Sequence, residues 1–333
     1  MARRLMKTLW VAILLFSLII AALLSFNWQP DRSVDELTQW QLPDSEFIDI
    51  GGTQTHVVQS SLCRYRMGKT ATKDLTRSDK PLPKVVVLLH GTSSSLQTWD
   101  GWSEQLADQY CVIRLDLPGF GLTGPFYDAS ILYSSDRYTD FVKQVLDKLY
   151  VDKATLVGNS LGGKIAWSMA VKYPDSVDKL ILIDAVGYPA TPKHIPIGFR
   201  LAKYPLLDSI TTHVLPRSII KKSLESVYAD DSKVTQALVN RYFDLTLRAG
   251  NRQALTRRMR EFDSDNDAGR IQTISAPTLI LWGKQDELIP LDNAYRFKQD
   301  IKGSQLVVFN HLGHVPQEED PLATVKVVKA FLR

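Results

Sequence analysis

The stretch Leu156-Val157-Gly158-Asn159-Ser160-Leu161-Gly162-Gly163 constrains this chain more than any other. It reads G-x-S-x-G. An apolar run, Ala154 to Val157, precedes it and reads as a short buried strand. After it, apolar residues recur at four-residue steps (Leu161, Ile165, Met169, Tyr173), the period of a helix that Tyr173-Pro174 would stop. A chance match in a glycine-containing turn is the plain alternative. Strand, sharp turn and helix together instead predict a nucleophile elbow, with Ser160 raised above the sheet edge and free helix N–H groups beneath it.

The N-terminus carries a second constraint. Arg3, Arg4 and Lys7 precede an uncharged apolar run from Leu9 to Phe26, flanked by Trp10 and Trp28. At about 1.5 Å per residue it spans roughly 27 Å, close to the hydrocarbon thickness of a bilayer. A cleaved signal peptide would have a shorter run followed by a small-x-small site, and Leu23-Leu24-Ser25-Phe26 offers none. The expectation is a signal anchor over 1–28, with the rest of the chain outside the cytoplasmic membrane. A Cys63–Cys111 disulfide is chemically allowed there. Nothing in the sequence brings the two together, so separate thiols are the simpler reading. Their spacing suits no metal site.

With the anchor set aside, 29–45 reads as a linker, and short strands flank Gly51-Gly52 (Phe47 to Ile50, then Thr55 to Val58). Ser60 to Lys80, with Gly68, is polar and basic and reads as a surface loop. Val85 to Leu89 is a continuous apolar run, typical of a strand covered on both faces. Further strands are expected at Cys111–Leu115, Lys179–Ile183, Ala276–Gly283 and Gln305–Phe309. Helices are expected over Trp99–Asp108, over Tyr133–Leu149 and over Pro321–Leu332. This alternation predicts an α/β fold with a doubly wound, mostly parallel sheet. From Gly187 to Ile271 the alternation breaks into proline-punctuated, arginine-rich helical segments, which read as a helical lid. Its arginines (Arg248, Arg252, Arg257, Arg258, Arg260) read most simply as a solvated face, with binding to anionic lipid or an acidic substrate the weaker option. The expected units are therefore the anchor 1–28, the linker 29–45, a core of 46–186 and 272–333, and the lid 187–271.

A net charge of +4, with no dense Lys/Arg run interleaved with aromatics, gives nucleic-acid binding little support. Three polar groups instead stand at the carboxyl ends of three predicted strands: Ser160, Asp286 and His314. A serine hydroxyl is a poor nucleophile at neutral pH. It needs an imidazole to take its proton and a carboxylate to orient that imidazole. His314 suits the base role better than His311, because Gly313 allows a tight turn into a cleft; His311 more simply caps or packs. His56 reads as a strand residue and His90 as structural. Asp116 and Asp184 read as turn aspartates. The loop His90-Gly91-Thr92-Ser93 could supply an oxyanion donor, Thr92 N–H, to pair with Leu161 N–H.

These motifs resemble the α/β-hydrolase family over roughly Phe47 to Leu332. The carriers are His90-Gly91, Asp116-Leu117-Pro118-Gly119-Phe120-Gly121, Gly158-Asn159-Ser160-Leu161-Gly162-Gly163, Trp282-Gly283-Lys284-Gln285-Asp286 and Gly313-His314. The resemblance implies Ser160 as nucleophile, Asp286 as acid, His314 as base and Thr92 and Leu161 as oxyanion donors, with no metal or organic cofactor. Gly-Asn-Ser-x-Gly-Gly looks like the carbon–carbon bond hydrolases of aromatic ring-cleavage products, but those usually follow Gly-His with tryptophan, where this chain has Val315. The reading favoured is hydrolysis of a lipophilic small-molecule carboxylic ester at a membrane. Carbon–carbon bond hydrolysis of a diketo acid is the alternative. A membrane-tethered binding protein without chemistry is the reading from another class. Oligomeric state is not readable.

Overall fold

The computed structural model describes residues 2–64, 82–189, 191–261 and 267–333. Most of the expected surface loop Ser60–Lys80, Gly68 included, lies outside the described residues. Eight strands form one sheet: β1 (Ser45–Ile50), β2 (Thr53–Gln59), β3 (Val85–Leu89), β4 (Cys111–Leu115), β5 (Ala154–Asn159), β6 (Val177–Ile183), β7 (Thr278–Gly283) and β8 (Gln305–Phe309). Their order is β1-β2-β4-β3-β5-β6-β7-β8. β1 and β2 form an antiparallel hairpin, and β2 meets β4 antiparallel; all other pairs are parallel. The hairpin closes through Gly51 and Gly52, whose positive φ of 57° and 87° suit a two-residue turn.

Strands β3, β4, β5 and β7 are buried along their whole length. Their apolar runs are explained by cover on both faces. On one face, Trp167 and Ile165 from the helix Leu161–Lys172 and Phe141 and Val145 from the helix Ser135–Lys148 pack on Val87, Leu156 and Leu182. On the other, Trp99, Trp102, Val325 and Val328 cover Val86, Leu88 and Ile181. Each large aliphatic side chain so buried contributes roughly 2–3 kcal/mol. The sheet is thereby a rigid platform, and its carboxyl edge carries the polar residues of interest.

Two expectations change. Cys63 and Cys111 are bonded to each other, with Cα atoms 4.5 Å apart. The antiparallel β2–β4 pairing, with Gln59 opposite Ile113, draws the segment after β2 to the start of β4. The arginines of the inserted segment do not form a solvated face. Arg252 and Arg258 are buried, Arg257 pairs with Glu261 and Arg260 with Asp208. Burial lowers the Arg258 guanidinium to about 10.

Arg252 shows where those charges go. Its Nη2 donates to the Gln29 carbonyl at 2.8 Å and to Asp31 Oδ1. Arg32 pairs with Asp244, and Trp40 Nε1 donates to the same carboxylate. Leu37 is buried against Leu122 and Leu245. The stretch after the N-terminal helix (Ala2–Phe26) is thus packed on the helices Gln236–Thr246 and Asn251–Glu261. Among the described residues one helix, Met6–Phe26, is long and apolar enough to cross a membrane.

Candidate active site

β5 delivers its chain into a turn at Ser160, whose φ of 55° lies in the left-handed region. Such a backbone costs about 1–3 kcal/mol and persists only where its surroundings enforce it. Here Ser160 N–H donates to the Ile183 carbonyl, and the Ser160 carbonyl accepts from Lys164 and Val186 N–H. The flanking glycines permit the turn. A Cβ on Gly158 would lie 2.1 Å from the Gly162 carbonyl oxygen, and one on Gly162 would lie 2.1 Å from that of Leu89. Gly91 sits against the nucleophile turn, its notional Cβ 3.1 Å from Ser160 Cβ. The loop after β3 therefore borders Ser160. No described residue accepts a hydrogen bond from the N–H of Thr92 or of Leu161. Both donors are unspent beside the Ser160 turn.

Asp286 follows β7, and His314 follows β8. His314 Nδ1 lies 2.7 Å from Asp286 Oδ2. With Nδ1–H donating to that carboxylate, Nε2 is left as a proton acceptor. Asp286 Oδ1 accepts from Leu288 N–H at 2.8 Å and Ile289 N–H at 2.9 Å, which fixes the carboxylate's plane. Asn159, next to Ser160, donates through Nδ2 to the His314 carbonyl at 2.9 Å and to the Ile183 carbonyl at 3.2 Å. His314 N–H donates to the Val227 carbonyl. Glu319 accepts from Gly313 N–H at 2.7 Å, and its other oxygen accepts from Ala229 and Asp230 N–H. The histidine loop is thereby tied to β5 on one side and to the inserted segment on the other.

Sequence reasoning missed Asn159 and Glu319 as positioning groups. It also missed where Asp184 lies. β6 and β7 pair in parallel, with Ile183 opposite Leu281, so Asp184 ends beside Asp286. Gly283 N–H donates to Asp184 Oδ1 at 3.0 Å. Burial first, and then the charge of Asp286, push the Asp184 carboxyl well above the usual range. That favours the neutral, protonated form of Asp184 beside Asp286. Ligand atoms of Asp184, Asp286 and His314 all fall within 4.8 Å of one another. The 2.7 Å contact between His314 and Asp286 is a hydrogen bond.

The other polar residues have structural partners. His90 is fully buried. Its Nε2 accepts from Leu117 N–H and its Nδ1 faces the Gly91 carbonyl at 2.7 Å, so both nitrogens are spent. Burial lowers its imidazole. Asp116 accepts from Leu96 and Leu122 N–H and faces His56 Nδ1 at 2.7 Å. Burial opposes its charge, but His56 and these donors outweigh that and lower the carboxyl. Ser45 Oγ meets His56 Nε2 at 2.7 Å, completing a Ser45–His56–Asp116 string that ties the edge hairpin to two loops. His311 is exposed.

A cavity of about 120 Å³ opens above the Thr92 loop. Its wall includes Thr92, Phe199, Leu215, Ile219, Tyr242 and Leu255, and among the described residues no charged side chain lines it. Val315, following His314, is packed with Leu224, Tyr228, Val234 and Val239 of the inserted segment.

A family model described as alpha/beta hydrolase fold matches residues 84–321. The chain belongs to the alpha/beta hydrolase fold family. A 2-hydroxy-6-oxo-2,4-heptadienoate hydrolase of Pseudomonas putida is 31% identical over 259 residues, covering 74% of this chain and 88% of that protein. A solved meta-cleavage product hydrolase of Pseudomonas fluorescens superposes with a TM-score of 0.68 at 24% identity, covering 86% of this chain and 97% of that one. A membrane phospholipase A, described as a bacterial virulence factor, superposes with a TM-score of 0.68 at 23% identity, covering 100% of this chain and 98% of that one. The family match and the Pseudomonas putida relative indicate a hydrolase, and a small-molecule substrate is consistent with them.

Proposed function

We propose that this chain is a membrane-anchored serine hydrolase that cleaves a carboxylic ester through an acyl-enzyme on Ser160. The observation that carries the ester reading is the uncharged wall of the cavity above Thr92. A diketo acid brings a carboxylate, which needs a cation or several donors once it leaves water. An acyl chain needs neither.

In this reading Ser160 Oγ attacks the ester carbonyl carbon while its proton passes to His314 Nε2. Asp286 holds the imidazole in the required tautomer and stabilises the imidazolium that forms. Thr92 and Leu161 N–H receive the oxyanion, each supplying about 3 kcal/mol in the transition state. Collapse expels the alkoxide, which takes the proton from His314 and leaves as alcohol. Water then attacks the acyl-enzyme, giving its proton to His314. The carboxylic acid departs and the proton returns to Ser160 Oγ. The reading divides the chain into an anchor (1–28), linker (29–45), hydrolase core (46–186 and 272–333) and lid (187–271). The Cys63–Cys111 bond supports an extracytoplasmic core, because disulfides persist in oxidising compartments.

A second reading, carbon–carbon bond hydrolysis, is favoured by the names of the relatives. Turnover of a p-nitrophenyl ester series beside a 2-hydroxy-6-oxo-dienoate decides between them. The ester reading expects kcat/KM on medium-chain esters to exceed that on the dienoate at least tenfold, and the reverse order contradicts it.

A further inference from the structure

The chain leaves the apolar helix at Phe26, which is 85% exposed, and within three residues it is stitched to the inserted segment. The Asn27 carbonyl accepts from Leu215 N–H at 3.0 Å, and Gln29 N–H donates to the His213 carbonyl at 2.7 Å. Trp28 pairs antiparallel with Val214 and stacks on His213, ring centroids 4.6 Å apart. Arg32 N–H donates to the Leu247 carbonyl and its own carbonyl accepts from Ala249 N–H. Arg252 closes on Gln29 and Asp31. Three extended residues reach about 10 Å. Whatever bilayer holds the helix must therefore lie within that distance of residues 213–215.

The segment leading to this attachment, residues 197–210, carries apolar side chains in the open. Leu206 is 97% exposed, Tyr204 is 61%, Ile197 43% and Ile210 42%. Monomeric soluble proteins seldom leave such groups together on the surface without use. Between residues 191 and 222, Lys193, Arg200, Lys203, Arg217, Lys221 and Lys222 stand against a single acid, Asp208. Lys221 pairs with Glu225 and Arg217 lies 4.0 Å from Asp244; the remaining surplus of cations suits an anionic lipid surface. The inward side of the same stretch (Pro196, Gly198, Phe199, Leu215, Ile219) walls the cavity that reaches Thr92.

From this arrangement we infer that residues 196–222 form a bilayer-docking face, and that the substrate is a lipid ester entering the cavity from that bilayer. The docking rests on the anchor and these contacts; the substrate class rests on the ester reading. With the segment held at the interface, an acyl chain passes from bilayer to cavity across the wall formed by Phe199, Leu215 and Ile219 without crossing bulk water.

The test uses the full-length chain in phosphatidylethanolamine/phosphatidylglycerol vesicles. An environment-sensitive fluorophore is placed at Leu206→Cys, and at Lys302→Cys as a distant control. The two native cysteines are bonded to each other and do not compete for label. The expected result is a blue shift and quenching by nitroxide-labelled lipid at position 206 and neither at 302. Equal, water-like emission at both positions would overturn the docking. Tyr204→Glu/Leu206→Glu is then compared with the parent on vesicle lipid and on p-nitrophenyl acetate. Docking predicts at least a tenfold loss on vesicle lipid and less than a twofold change on the soluble ester. Equal rates on vesicle lipid would also overturn it. Should the parent cleave neither ester while position 206 still reports lipid, the ester reading fails and the docking stands.

Discussion

The Asn159 side chain hydrogen-bonds the His314 carbonyl at 2.9 Å, linking the residue before the strained Ser160 turn to the loop that carries the imidazole. Asn159 is 2% exposed, so its amide is read by these neighbours and not by solvent. The bond spans two strands far apart in sequence and fixes their relative height on the sheet edge.

Asn159→Ala should therefore damage rate more than fold. The buried His314 carbonyl loses its Asn159 donor, while the Ile183 carbonyl keeps Ser160 N–H, at about 1–2 kcal/mol of stability. Misplacement of the imidazole by a fraction of an ångström should lower kcat about 10- to 100-fold with little change in KM. Asn159→Asp, which puts an acceptor against those carbonyls, should be worse. Steady-state kinetics on a p-nitrophenyl ester check both, and an unchanged kcat for Asn159→Ala would remove the positioning role.

Asp184 sets a pH dependence of stability. Its folded pKa is raised by burial and by Asp286, so in the native state it holds its proton to higher pH than in the unfolded chain, whose carboxyl ionises from about pH 4 upward. The unfolded state then binds fewer protons, and stability falls as pH rises from there toward the folded pKa. Asp184→Asn stays neutral in both states and keeps an acceptor for Gly283 N–H. Its Tm relative to wild type should climb as pH rises above about 4, for as long as native Asp184 keeps its proton. A difference that stays flat over that rise would show that Asp184 is ionised in the fold.

The Cys63–Cys111 bond closes a loop with a sequence separation of 48. Removing that constraint from the unfolded chain costs about 2–4 kcal/mol by loop entropy. Cys63→Ala/Cys111→Ala should melt several degrees lower than wild type, and non-reducing peptide mapping should find the linked pair. A variant with wild-type Tm would indicate that the native protein carries free thiols.

Glu319 joins the histidine loop to the inserted segment by accepting from Gly313, Ala229 and Asp230 N–H. Glu319→Gln keeps the shape but turns an amide donor toward an N–H, so about 1–3 kcal/mol should be lost in urea unfolding. Catalysis should fall with it, because Gly313 precedes His314. Full activity with unchanged stability would show that the loop holds itself.

The sheet was readable because its inner strands are covered on both faces and must be apolar throughout, as Val85–Leu89 is. The edge hairpin was readable because Gly51-Gly52 supplies the two positive-φ residues a tight turn requires. Ser160 and its elbow were readable because Gly158 and Gly162 are the residues a crowded strand–helix approach permits. Contacts between distant segments were not. The cysteine pair depends on the β2–β4 register, and the Asp184–Asp286 neighbourhood on the β6–β7 register, neither of which leaves a local trace. Arg252 and Arg258 look like solvent residues in their own helix, and only packing of 29–32 and of the surrounding core buries them.

The central claim is an activated Ser160, and reaction of the full-length protein with a fluorophosphonate probe tests it most directly. The account predicts stoichiometric labelling of wild type at Ser160, none of Ser160→Ala, and labelling of His314→Ala slowed about a thousandfold or more. Labelling of folded His314→Ala at the wild-type rate, or none of wild type, would contradict it.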